Sequence, residues 1–132
     1  MAGIYTLTIL TEFSASHILR GHPGPCSRLH GHNWKVEAEV VAESLNDIDL
    51  AIDFQDIKAA ARAITDRLDH RHLNDLPPFD RVNPTAEQLA RYIYGELGRD
   101  LAAQEVRVSA VTIWETDRAK VRYSERQSLG SD

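Results

Sequence analysis

Two stretches of strict apolar–polar alternation lie on either side of a Gly/Pro-rich loop near the start of the chain, and each runs directly into histidines. Tyr5, Leu7, Ile9 and Phe13 fall on odd positions, with Thr6, Thr8 and Glu12 between them. Trp34, Val36, Ala38 and Val40 share one parity, and Lys35, Glu37 and Glu39 the other. A period of two marks a half-buried strand, and a slip of one residue would turn the whole apolar set to water, so the pattern fixes which side chains face inward. His17 continues the inward parity of the first stretch, and His30 and His32 that of the second. The loop GHPGPCSR then sets the histidine-bearing ends of the two strands side by side.

Further along, Asp53 stands as an N-cap before Phe54, Ile57, Ala61, Ile64 and Leu68, which recur at helical spacing until LDHRHLNDLPP ends the run with two prolines. Thr85-x-x-Gln88 has the form of a capping box, and Leu89, Ile93, Leu97 and Leu101 line the face of a second helix. Two strands follow, from about Glu105 to Glu115 and from about Lys120 to Ser124, with a tight turn at Thr116-Asp117-Arg118. The order ββααββ predicts an α+β domain, a four-stranded antiparallel sheet with two helices on one face. A chain of 132 residues has room for one core, so residues 1–126 read as a single domain and 127–132 as a frayed tail. A sheet with two open edges favours a symmetric oligomer that covers them.

Composition narrows the function. A net charge of −5 argues against a nucleic-acid partner, and no apolar run approaches the length of a membrane span. The N-terminal MAGIYTLTIL lacks the pattern of a secretory signal, so the cytoplasm is the expected location. Arg20 and Arg28 read as solvated charges, and no dinucleotide-binding glycine motif is present.

Three imidazoles on inward strand faces can hold one Zn²⁺ and leave its fourth position open, the arrangement of a catalytic site. His22 lies in the loop, outside this set. Cys26, the only cysteine, is either a fourth ligand that closes a structural site or a thiolate beside the metal, suited to taking a proton. The second reading is preferred, because a domain with this core has no need of a metal staple. Asp69-His70 falls where the first helix ends, and can form an acid–base pair if the chain leaves the helix there. Glu115 puts a carboxylate on the apolar face of its strand, where paired N–H donors of a guanidine-like heterocycle or an internal arginine would satisfy it.

Cys26-x-x-x-His30-Gly31-His32, the upstream Phe13-Ser14-Ala15-Ser16-His17, Leu68-Asp69-His70-x-x-Leu73-Asn74, Pro84-Thr85-x-Glu87 and Trp114-Glu115-Thr116 together resemble the 6-pyruvoyltetrahydropterin synthase and 6-carboxytetrahydropterin synthase family, in order over nearly the whole chain. The resemblance implies the tunnelling fold (T-fold), a homohexamer of two stacked trimers, and active sites between subunits. It makes His17, His30 and His32 the zinc ligands, Cys26 the general base, Asp69 and His70 the proton-transfer pair, and Glu115, with Thr85 and Glu87, the substrate-binding residues for the pterin. Ala86 stands where many members carry a hydroxyl residue. The short interval from Cys26 to His30 resembles the carboxy branch. That branch implies conversion of 7,8-dihydroneopterin triphosphate to 6-carboxy-5,6,7,8-tetrahydropterin, with release of acetaldehyde and triphosphate, on the way to queuosine. The alternatives are the pyruvoyl-forming sibling and a non-catalytic hexamer that binds zinc and pterin.

Overall fold

In the computed structural model, which describes residues 3–126, the two alternating stretches form β1 (Tyr5–His17) and β2 (His30–Ala42). They pair antiparallel, with Phe13 opposite Trp34 and His17 opposite His30. Ile9, Phe13, Ala15 and His17 are buried from β1, and Trp34, Val36, Ala38 and Val40 from β2, so the inward parity holds into the histidine end. At the far end of β1 it lapses, and Tyr5 lies open.

The first helix, α1 (Phe54–Leu68), opens where the Asp53 carboxylate accepts from the Gln55 N–H at 2.8 Å. Ile57, Ala61, Ile64 and Leu68 enter the core, whereas Phe54, in the first helical position, is 52% exposed at the end of that stripe. The second helix, α2 (Ala86–Asp100), follows Thr85, whose hydroxyl oxygen accepts from the Gln88 N–H at 3.1 Å. Its Leu89, Ile93 and Leu97 are buried, as is Leu101 just beyond it. Both helices lie on the inward face of the sheet, α1 over β1 and α2 over the last two strands.

Between the helices a short strand, β3 (Arg71–His72), pairs parallel to β1 through Ala15 and Ser16. With β4 (Arg107–Thr116) and β5 (Ala119–Tyr123) the sheet has five strands in the order β3-β1-β2-β4-β5. The expected four-stranded antiparallel sheet and its ββααββ order are thus corrected to a five-stranded mixed sheet within the same α+β layout. Two residues are too few to display a period, and β3 is set by contacts distant in sequence, with the His70 N–H donating to the Ser14 carbonyl at 2.6 Å.

Where β4 meets β5, Trp114 pairs with Lys120 and Thr116 with Ala119, so the register shifts and Glu115 is left without a partner on β5. Such a bulge re-aims one side chain. The tail at 127–132 lies outside the described residues, and among those described no helix is long and apolar enough to cross a membrane.

Candidate functional site

His17 ends β1 and His30 opens β2, so the strand pairing sets them opposite each other, with His32 one inward step along. Their ring centroids stand 4.4 Å apart for His17 and His30, and 5.1 Å for each pair that includes His32. One ligand nitrogen from each lies within 4.8 Å of the others. The Trp34 ring forms the floor, edge to face with His17 and His32 at 5.0 Å, while its N–H donates to the Ala15 carbonyl.

The unused nitrogens fix how these rings present themselves. His17 Nδ1 lies 2.8 Å from the Pro84 carbonyl and His30 Nδ1 2.7 Å from the Arg28 carbonyl. A carbonyl can only accept, so Nδ1 carries the proton in both rings and Nε2 presents a lone pair. Burial holds the His17 imidazole below its ordinary value, outweighing the Pro84 carbonyl, and burial does the same to His32 against the pull of Glu115. Neutral imidazole is the form that ligates metal. His17 Nε2 and His32 Nε2 are both buried without a hydrogen-bond partner. An orphaned buried polar atom costs about 1–3 kcal/mol, and two that converge on one point fit a bound cation. The donor set of three imidazoles suits zinc.

Glu115, the bulge residue of β4, brings Oε2 to 3.8 Å from His17 Nε2 and 3.9 Å from His32 Nε2. Beside it a cavity of about 360 Å³ is lined by Leu19, Thr85, Ala86, Glu87, Glu115 and Lys120, among others. Thr85 and Glu87 reach this wall because α2 begins there, and Pro84, directly before the cap, carries the carbonyl that holds His17. The three residues that the resemblance assigns to pterin binding therefore share one cavity, which meets the histidine cluster through Glu115.

Asp69 and His70 form a contact at 2.8 Å between Oδ2 and Nδ1. The pairing is possible because the helix has ended: Asp69 is the extended C-cap, and His70 has a φ of +58°. The other Asp69 oxygen accepts from the Ser14 N–H at 2.8 Å, and that bond, then the one with His70, holds the carboxyl below its ordinary value. His70 opens onto a different depression, of about 480 Å³, lined also by Ser14, Ser16, His32 and His72. Cys26 is a free, half-buried thiol on the short turn Pro25–Ser27, and among the described residues the metal-competent cluster does not include it.

Sequence reasoning gave no part to several residues that shape these surroundings. Asn74 grips both backbone groups of Ile18, next to His17, through its amide oxygen and nitrogen at 2.8 and 2.9 Å. His72 Nδ1 meets the Ser16 hydroxyl at 3.0 Å, and its spacing of two from His70 was the available signal. Arg20 is exposed, as expected of a solvated charge, but it is also anchored: its guanidinium donates to the Phe79 carbonyl at 2.6 Å, and Asn83 holds its backbone on both sides.

A family model described as 6-pyruvoyl tetrahydropterin synthase matches residues 6–126. The chain belongs to that family. Among relatives of the 6-pyruvoyl tetrahydropterin synthase family, the 6-carboxy-5,6,7,8-tetrahydropterin synthase of Haemophilus influenzae is 28% identical over 136 residues, covering 86% of this chain and 94% of its own length. The protein of the same name from Synechocystis sp. is 31% identical over 117 residues, covering 85% and 87%. The solved 6-pyruvoyl tetrahydropterin synthase of Caenorhabditis elegans superposes with a TM-score of 0.82 at 24% identity, over 95% of this chain and 98% of its own. The fold is the T-fold of that family, and a tetrahydropterin synthase is an enzyme.

Proposed function

We propose that this chain is a zinc-dependent 6-carboxy-5,6,7,8-tetrahydropterin synthase that converts 7,8-dihydroneopterin triphosphate and one water to 6-carboxy-5,6,7,8-tetrahydropterin, acetaldehyde and triphosphate. The names of its relatives support the choice, as does the short interval from Cys26 to His30. One observation carries it: two partnerless buried nitrogens, on His17 and His32, face the carboxylate of Glu115, which shares a cavity wall with Thr85 and Glu87.

His17, His30 and His32 would hold the ion, which supplies a Lewis acid next to the substrate's side-chain oxygens. Glu115 accepts the paired N–H donors of the pterin edge and fixes the ring. The Thr85 oxygen already accepts from Gln88, so its hydroxyl hydrogen is the group left to donate. Cys26 takes the proton from the substrate side chain. Asp69, kept ionised, accepts the His70 Nδ1 proton and leaves Nε2 as the base or acid that works on the opposite face. Reducing equivalents move within the substrate, from side chain to ring, so no nicotinamide or flavin is needed.

Under the same reading the enzyme works in the cytoplasm on the route to queuosine, as a homohexamer of two stacked trimers. Mass spectrometry of the products tests it. Acetaldehyde beside a carboxytetrahydropterin supports the assignment; a pyruvoyl product without acetaldehyde transfers the protein to the sibling activity; pterin binding with no turnover makes it a binding protein. Cys26→Ala should abolish turnover while the fold and bound zinc persist.

A further inference from the structure

The Glu115 carboxylate faces the two nitrogens of the histidine cluster that lack partners, at 3.8 and 3.9 Å, too far for hydrogen bonds. Ligand atoms 2.0–2.1 Å from one tetrahedral ion stand roughly 3.4 Å apart, so these two gaps come within about half an ångström of an edge between neighbouring ligands. The cluster whose ligand atoms all lie within 4.8 Å of one another comprises the three histidines alone, so Glu115 must shift to join it. A carboxylate oxygen is an ordinary zinc ligand. Glu115 also owes its aim to the bulge that frees it from β5, and its side chain, 34% exposed, borders the cavity with Thr85 and Glu87. It therefore has two destinations within reach, the cluster and the cavity.

We propose that Glu115 serves both in turn. Without substrate its carboxylate closes the metal's fourth position; when the pterin enters, the carboxylate turns to the paired N–H donors of the heterocycle and vacates that position. The exchange moves one lone-pair donor off the ion and transfers no electron. It couples ring recognition to metal access, because only a ligand that offers those N–H groups draws the carboxylate away. The inference rests on the zinc reading above and adds a second task to the pterin anchor.

The test reads the metal without requiring turnover. Zn²⁺ affinity is measured by competition with a chromophoric chelator, and the visible bands of the Co²⁺-substituted protein are recorded for wild type, Glu115→Gln and Glu115→Asp. Circular dichroism confirms that each variant is folded. Glu115→Gln should weaken Zn²⁺ binding by about tenfold or more and shift the Co²⁺ bands of the substrate-free protein. Azide should then perturb those bands at concentrations that leave the wild type unchanged. Glu115→Asp keeps the charge and shortens the reach, so it should give the same band shift; this separates ligation from a field effect. Identical bands and affinities within about twofold across all three proteins would overturn the proposal. If those metal parameters stay unchanged while Glu115→Gln destroys turnover, the anchor stands and this inference falls. Glu115-dependent metal binding in a protein inert toward dihydroneopterin triphosphate would uphold it and remove the substrate assignment instead.

Discussion

At the scale of single residues, the site depends on which protonation state each group is denied. His17 and His32 are held neutral by burial, so the folded, metal-free protein refuses protons that the unfolded chain accepts near the ordinary histidine value of 6.5. Below that value the unfolded state binds more protons, and stability falls as pH drops. Calorimetry of the chelator-treated protein should show the melting temperature declining from pH 7 toward 5, with a shallower decline in His32→Gln; equal slopes would remove His32 from the account. Asp69 acts in the same direction, in a more acidic range. The Ser14 N–H and His70 depress its folded value below 3.8, so its contribution is complete above that value and disappears as pH falls through the folded one. Melting curves of wild type and Asp69→Asn should therefore be furthest apart above about pH 4 and converge below it.

At the scale of elements, the loop after β1 is held by amides that reach across the sequence. Asn74 satisfies both the N–H and the carbonyl of Ile18, and Asn74→Ala leaves those part-buried groups bare, at a cost of about 2 kcal/mol in chemical denaturation. Thr85→Ala removes the cap of α2 and should cost about 1 kcal/mol, most of it restored by Thr85→Ser. These bonds also mark where the sequence stopped being legible. The strands could be read because alternation is a local pattern that the sheet only has to obey, and it carried His17, His30 and His32 to one point with no knowledge of their pairing. The caps at Asp53 and Thr85 were readable for the same reason, since each is satisfied within three residues. By contrast β3, the Asn74 clamp and the Arg20 contact each depend on partners more than fifty residues away, for which one chain offers no period. Phe54 was misplaced because helical spacing gives a direction around the axis and says nothing of whether the core extends that far along it.

At the scale of the whole molecule, Glu115 sets its cavity against the metal-competent histidines, while His70 lines a second depression that reaches the cluster only at His32. The two share no residue, and Cys26 borders neither. Among the described residues β1 has a neighbour beyond it only at Ala15 and Ser16, and β5 closes the other side of the sheet, so both edges offer backbone groups to another copy. If assembly brings the His70 of one subunit to the Cys26 of another, inactive chains should complement each other. Cys26→Ala and His70→Ala proteins, each without turnover alone, are unfolded together and refolded in equal amounts. A site then needs an intact cysteine from one kind of chain and an intact histidine from the other, each present half the time, so about a quarter of the wild-type rate should return. Sedimentation of the refolded material should give the same particle mass as the wild type. A mixture that assembles fully yet stays inactive would mean that each chain supplies both groups to its own site, and the separation of the two depressions would then need a conformational change within one subunit to close it.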